Sequence, residues 1–254
     1  MKTSAPVRSR HSLPLALLAG GLATRLRPIT EKVPKSMVEV AGEPFIAHQL
    51  RLLASRDIRD VVVCAGYLGE QLADFVGNGE RFGCNVTYSF DGDKLLGTGG
   101  AIRKALPLLG DSFYVMYGDS YLPIDFAAAY DVFAYSGLKG LMTVFRNGDR
   151  WDKSNVLFVD GRIHNYDKRN PTPDMEHIDY GLGILTAEAL AGWDDTTAFD
   201  LARVYEELVA NQQLAGLEVF ERFFEIGSFA GLDETDALFL SLCKTAQRGA
   251  NTQP

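Results

Sequence analysis

Four short apolar runs, Leu15–Ala19, Val61–Ala65, Asn85–Phe90 and Phe113–Tyr117, are spaced through the first half of the chain with amphipathic segments between them. Runs of this length suit buried strands, and helical segments between them imply crossover connections, hence a largely parallel sheet. Pro44–Ala54, Leu68–Val76 and Gly99–Leu108 carry the helical spacing, with Pro44 expected in a helix's first turn. After Asp119 the pattern changes: a helix is predicted near Phe126–Tyr135, then strands at Gly140–Phe145, Val156–Val159, Arg162–Tyr166 and Ile178–Leu185. Asp160-Gly161, between two of these, is a hairpin signal. Helices over Phe199–Asn211 and Glu234–Thr245 complete the expectation, the last covering the core. The sequence shows no internal repeat or linker. The predicted organisation is one α/β domain over residues 14–245, divided near residue 120, with loose tails at 1–13 and 246–254.

Charge narrows the function. Lys and Arg total 25 against 33 Asp and Glu, a net −8, which excludes a broad nucleic-acid surface but permits a local basic pocket. Cys64, Cys84 and Cys243 are odd in number and without a CxxC pair, as in a reduced, cytoplasmic protein. Lys2, Arg8 and Arg10 ahead of Leu13–Leu18 imitate a secretory leader. Cleavage near Ala23 would destroy the most distinctive motif in the chain, so that run is read as the first strand. No apolar run approaches the roughly 18 to 20 residues of a membrane span.

That motif is Gly20-Gly-Leu-Ala-Thr-Arg-Leu-Arg27, directly after a buried strand. Glycine lets backbone N–H groups approach an anion with no Cβ in the way. It is neither GxGxxG nor a Walker A loop, yet Arg25, Arg27, Lys32 and Lys35 follow within fifteen residues of an acidic protein. Such a cluster suits a polyphosphate.

The stretch Gly20-Gly-Leu-Ala-Thr-Arg-Leu-Arg-Pro-Ile-Thr30 with Pro34-Lys35 resembles the signature of the sugar-phosphate nucleotidyltransferases, G-G-x-G-T-R-L-x-P-x-T followed by P-K. Matching segments extend over about nine-tenths of the chain, and Ala23 departs from the family's Gly. The resemblance implies a Rossmann-like, mixed, mostly parallel sheet flanked by helices, with a smaller sugar-binding lobe, the nucleotide-diphospho-sugar transferase fold. Residues 14–120 would bind nucleotide and 121–245 the sugar phosphate. It implies that Ala19, Gly20 and Gly21 bind the nucleotide, that Arg25 grips the β- and γ-phosphates, and that Lys35 neutralises the α-phosphate. An Arg fork and a Lys point charge are suitable tools for in-line phosphoryl transfer.

Leu96-Gly-Thr-Gly-Gly-Ala101 opens a predicted helix, so its backbone donors are expected to face a ligand at the strand ends. It resembles the family's base- and ribose-contacting segment, which assigns Gly97, Thr98 and, by approximate alignment, Asp91 to the nucleotide. Phe113–Tyr117 followed by Gly118-Asp119 delivers a carboxylate to the carboxyl end of the sheet, where a hard oxygen ligand suits Mg²⁺. The resemblance makes Asp119 one metal ligand, and Glu225, in Phe224-Glu-Ile-Gly-Ser228, the other, where the family has Asp. Tyr166-Asp167-Lys168 resembles its E-K-P segment, with Arg169 replacing Pro, so Asp167 and Lys168 are expected on the sugar phosphate. Tyr180 and Gly181 are assigned to the sugar in the same way.

The implied reaction is Mg²⁺-dependent: a sugar 1-phosphate attacks the α-phosphorus of a nucleoside triphosphate, giving a nucleotide sugar and pyrophosphate. The Leu96–Ile102 segment is most similar to bacterial heptose 1-phosphate guanylyltransferases, which puts GTP with a heptose or hexose 1-phosphate first. Uridylyl transfer to a hexose or amino-sugar 1-phosphate is the same-class alternative; a silent nucleotide-sugar-binding paralogue that regulates a partner is the rival from another class. The small-molecule substrates are the only partners implied, in a monomer or homodimer.

Overall fold

A computed structural model describes residues 13–194 and 196–250. In chain order the elements are β1 (Leu15–Leu18), β2 (Glu39–Val40), β3 (Glu43–Pro44), α1 (Phe45–Ser55), β4 (Asp60–Ala65), α2 (Gly69–Val76), β5 (Asn85–Phe90), α3 (Gly97–Leu109), β6 (Ser112–Tyr117) and β7 (Ser120–Tyr121). Then come α4 (Phe126–Ser136), β8 (Gly140–Arg146), β9 (Val156–Val159), β10 (Arg162–Tyr166), β11 (His177–Thr186), α5 (Leu201–Ala210), β12 (Leu214–Val219), β13 (Phe224–Glu225) and α6 (Phe229–Ala250).

β6, β1, β4 and β5 form the parallel half of the main sheet. β11 joins β6 antiparallel, β8 joins β11 antiparallel, and β12 joins β8 parallel. The β9–β10 hairpin attaches to the start of β11 through Val156 and His177. Successive residues of a strand point to opposite faces, and both faces here are apolar. Leu15, Leu17, Val61, Val63, Tyr114 and Met116 enter one core. Ala16, Leu18, Val62, Cys64, Phe113 and Val115 enter the other. This double burial explains why the strands read as continuous apolar runs.

Local chemistry explains the ends of the elements. Asp125 and Asp200 cap α4 and α5 by accepting from the N–H of Ala127 and Ala202, each at 2.9 Å. Asp160 and Gly161 both have positive φ, 50° and 76°, the geometry of a two-residue hairpin turn.

Three boundaries depart from expectation. Pro44 lies in β3, one residue before α1, so it precedes the helical turn and does not occupy it. Phe199 precedes α5, because it is packed against α3. The last helix begins at Phe229 and continues to Ala250, so the loose tail expected from residue 246 is helical as far as 250. Residues 1–12 and 251–254, the rest of the expected tails, lie outside the described residues.

Candidate active site

The carboxyl ends of β1, β4 and β6 open onto a cavity of about 260 Å³, lined by Ala19, Gly20, Gly21, Ala23, Lys35, Asp91, Gly97, Thr98, Tyr117 and Asp119 among others. A second cavity of about 530 Å³ adjoins it and is lined by Arg25, Lys168, Asp179, Tyr180, Gly181 and Glu225, among others. Tyr117 and Asp119 line both. The two spaces therefore meet at the end of β6.

Asp119 is held at that junction by its surroundings. Gly118 fits because a Cβ there would stand 2.8 Å from both Leu18 O and Ser36 Oγ. Ser36 Oγ donates to Gly118 O at 2.8 Å, and Gln49 of α1 donates to the carbonyls of Tyr117 and Ser120 at 3.0 and 2.8 Å. Ile226 N donates to Asp119 O at 2.9 Å, tying the β7–β13 ribbon to the same turn. Lys35 forms an ion pair with the Asp119 carboxylate. Asp119 thus faces both cavities, while its partner Lys35 faces the smaller.

The two glycines after β1 have different tasks. A Cβ on Gly20 would meet Gly66 N at 3.1 Å, so Gly20 allows the first and second strand-end loops to approach. Around Gly21 nothing lies within 4 Å, which leaves its backbone open to the cavity. Ala23 has φ 47° and ψ 48°, a left-handed conformation that costs a residue with a Cβ.

The second glycine cluster is not the open anion site that its sequence suggests. Gly99 N and Gly100 N both donate to Phe199 O, at 3.0 and 3.4 Å, and a Cβ on Gly99 would collide with the Phe199 ring. Thr98 Oγ1 accepts from Leu201 N at 2.8 Å. These donors are consumed by the chain itself. Gly97 and Thr98 still line the smaller cavity, together with Asp91. Burial raises the pKa of Asp91, opposed by the Leu96 N–H and by Lys104. Cys64 forms part of the same wall, where burial pushes its thiol up to about 12 and keeps it neutral.

On the other side of Asp119, Lys168 Nζ lies 3.3 Å from Asp179 Oδ2 and 3.4 Å from the Tyr117 hydroxyl. Burial opposes its charge, but Tyr117, Asp179 and Tyr166 outweigh that and keep its pKa well above the ordinary lysine value. Asp179 also accepts from the Tyr166 hydroxyl and from Gly181 N, each at 3.1 Å. Gly181 has φ 102°, so a side chain there would be strained. Asp167 lines neither cavity: its carboxylate accepts from Arg169 N and Asn170 N and closes an exposed turn. Asp179, and not Asp167, is the carboxylate that pairs with Lys168 and lines the larger cavity.

Glu225 lines the larger cavity, but its carboxylate accepts from Gly227 N and Ser228 Oγ. Gly227 and Gly231 lack the Cβ that would collide with it, so the extra methylene is folded into its own loop. Among the described residues no group of three or more His, Cys, Asp or Glu could hold a metal. Asp119 and Glu225 both belong to the lining of the larger cavity, and carboxylate oxygens are the kind of donor that fits Mg²⁺, which completes its shell with water and phosphate oxygens.

The family description "Nucleotidyl transferase" fits residues 16–154, the stretch from β1 through β8. An N-acetylmuramate alpha-1-phosphate uridylyltransferase from Neisseria meningitidis is 40% identical over 234 residues, 87% of this chain and 96% of that protein. The chain belongs to the sugar-phosphate nucleotidyltransferases. A mannose-1-phosphate guanyltransferase from Saccharomyces cerevisiae is 31% identical over 182 residues, covering 68% of this chain and 50% of that longer protein. A solved putative glucose-1-phosphate thymidylyltransferase from Bacillus anthracis has a TM-score of 0.80 over 89% of this chain and 95% of its own, at 20% identity. That likeness shows the shared fold.

For a nucleotidyltransferase the cavities divide the expected residues unevenly. Ala19, Gly20, Gly21, Asp91, Gly97, Thr98 and Lys35 line the smaller; Arg25, Lys168, Tyr180, Gly181 and Glu225 line the larger; Arg27 and Lys32 line neither. Arg25 thus lies on the side expected to take the sugar. Sequence reading did not single out Tyr117, Gln49, Arg222 or Phe223. Tyr117 had a usable signal, its place directly before Gly118-Asp119, but the others are brought in only by the fold. Among the described residues no helix is long and apolar enough to cross a membrane.

Proposed function

We propose that this nucleotidyltransferase transfers a uridylyl group from UTP to an N-acetylmuramate-type α-1-phosphate, with Mg²⁺ and in the cytoplasm. The observation that carries this reading is the match to the Neisseria meningitidis enzyme. It covers 96% of that protein and so includes both cavities, whereas the guanyltransferase match covers half of a longer chain. Uracil therefore replaces guanine as the first expectation. Asp91, in the smaller cavity, would accept from a base N–H, the single one of uracil or those of guanine alike.

In the reaction an anionic oxygen of the sugar 1-phosphate forms a bond to the α-phosphorus of UTP. The bond from that phosphorus to the α,β-bridging oxygen breaks, and pyrophosphate leaves with the electron pair. No general base is needed, because the attacking phosphate is already ionised. Gly21 and its neighbours position the triphosphate, and Lys35, in the smaller cavity and paired with Asp119 of the shared wall, offsets the charge that grows on the α-phosphate. Lys168 and Arg25 hold the acceptor phosphate, while Asp179 orients Lys168. Asp119 and Glu225 would hold Mg²⁺, which when bound supplies charge neutralisation across the phosphates.

The test is pyrophosphate release with UTP, GTP and dTTP, each crossed with N-acetylmuramate, N-acetylglucosamine, glucose, mannose and heptose 1-phosphates, with and without EDTA. The expected result is highest kcat/KM for UTP with N-acetylmuramate 1-phosphate, abolished by EDTA and restored by excess Mg²⁺. Preference for GTP, for a neutral sugar, or activity indifferent to EDTA would each overturn the corresponding part.

A further inference from the structure

One corner of the larger cavity holds more hydrogen-bond donors than the chain itself satisfies. Trp151, Tyr180 and Phe223 form its apolar wall, backed by Phe145, with ring centroids 5.6 to 6.3 Å apart in successive pairs. Two guanidinium groups lie against Trp151: the Cζ of Arg222 is 4.7 Å and that of Arg150 5.8 Å from the indole centroid. Glu234 pairs with Arg222 through Nη2, but Arg222 Nε is buried without a partner. The Tyr180 hydroxyl is likewise buried and unpartnered. Among the described residues no carboxylate lies within ion-pair distance of Arg150.

An unmade bond from a buried donor costs about 1–3 kcal/mol, so a cluster of such donors points to a ligand that accepts. Arg150, Lys153 and Arg222 against Asp152 and Glu234 leave this part of the lining with an excess of positive charge, so the acceptor it suits is anionic. The reacting phosphate does not fill this role, since transfer needs it beside the wall shared by the two cavities, at Tyr117 and Asp119. Arg150, Trp151, Arg222 and Phe223 line only the larger space. They therefore face the body of the sugar.

We propose that Arg150, together with the Nε of Arg222, recognises a carboxylate carried on the sugar ring by an ether arm, while Trp151 and Phe223 cover the arm's apolar carbons. This rests on the N-acetylmuramate reading and deepens it. N-acetylmuramate differs from N-acetylglucosamine by such an arm, a lactyl ether. The corner thus acts as a specificity device that favours an acidic sugar, since a neutral one leaves the buried Arg222 Nε unpaired and gives Arg150 no anion to hold.

The experiment compares wild type, Arg150→Gln and Arg222→Lys with UTP and two acceptors, N-acetylmuramate 1-phosphate and N-acetylglucosamine 1-phosphate. KM is measured for each, or an inhibition constant where turnover is absent. Arg150 is exposed on the connection between β8 and β9, so its variant keeps the fold, which a thermal melt checks. Arg222→Lys keeps the charge and removes Nε. The expected result for Arg150→Gln is a KM for the acidic sugar raised about tenfold or more with kcat within about twofold. The constants for the neutral sugar should stay within about twofold, and Arg222→Lys should show the same selectivity in smaller measure. Equal losses on both sugars would assign Arg150 to the phosphate and overturn the proposal, as would no change on either. Wild-type indifference to N-acetylmuramate 1-phosphate, with turnover of another acceptor, is a separate result that overturns the underlying reading and this inference with it.

Discussion

The two cavities that meet at Asp119 are built in different ways. The smaller is built at loops that leave the parallel strands and is rich in glycine and alanine, which expose backbone: Ala19–Gly21 and Ala23 after β1, Asp91 after β5 and Gly97-Thr98 at the start of α3. The larger is made of side chains from segments far apart in the chain, including Arg25, Trp151, Lys168, Asp179, Arg222 and Glu225. Backbone recognition suits a triphosphate, whose oxygens are the same whichever base they carry. Side-chain recognition suits a sugar, where a few hydroxyl or acidic substituents must be told apart.

The largest effect should come from the cation paired with Asp119, the carboxylate common to both cavities. Lys35→Ala should lower kcat/KM by about 10³-fold for nucleotide and sugar phosphate alike, because it removes the cation nearest the shared wall. Lys35 lies in a short turn with its side chain partly exposed, so the melting temperature should hardly move. Steady-state pyrophosphate release beside a thermal melt checks this. Turnover near that of wild type would take Lys35 out of the chemistry.

A second variant should separate the cavities. Asp179→Asn removes the carboxylate that orients Lys168 and accepts from Tyr166 and Gly181. KM for the sugar 1-phosphate should rise about tenfold or more while KM for UTP stays within about twofold. A loss of about 2 kcal/mol in a urea melt should accompany it, since the carboxylate is only 5% exposed. Equal shifts in both KM values would show the two sites to be coupled.

This division also explains what the sequence made legible. The parallel sheet and the Gly20–Thr30 loop could be read because each is encoded in consecutive residues, by a continuous apolar run or by a glycine with its neighbours. The glycines at 97–100 were visible but their partner was not, because Phe199 is about a hundred residues away and only packing brings its carbonyl to the start of α3. The carboxylates near Lys168 are a similar case: Asp167 is its neighbour in sequence, whereas Asp179 of β11 is its neighbour in space, eleven residues further along the chain. The aromatic corner has no local signature at all.

The contact between Phe199 and α3 gives a third way to test the comparison. Gly99→Ala would force a methyl into the Phe199 ring, at a cost of about 1–3 kcal/mol for overpacking. If the segment positions Gly97 and Thr98 in the smaller cavity, KM for UTP should rise severalfold with the sugar KM unchanged, the reverse of Asp179→Asn. A stability loss without any change in UTP binding would make the glycines purely structural. Chemical denaturation and initial rates on one preparation distinguish these results.

The smallest effect should be found at Ala23, and its sign is informative. Ala23 holds a left-handed backbone, with φ 47° and ψ 48°, and its carbonyl accepts from Leu26 N at 3.1 Å and Thr30 Oγ1 at 2.8 Å. Those bonds fix the loop that presents Gly21 and Arg25, so the strained conformation is imposed by the loop and not chosen by the residue. Ala23→Gly relieves about 1 kcal/mol of strain in the folded state, although glycine also gains freedom in the unfolded chain. The net result should be a melting temperature raised by a few degrees at most, with KM for UTP unchanged or lower and the sugar KM untouched. Destabilisation would mean that the alanine's restriction of the unfolded chain outweighs the strain. A raised UTP KM would mean that the methyl itself contributes to the smaller cavity, which would then recognise its ligand by side chain as well as by backbone.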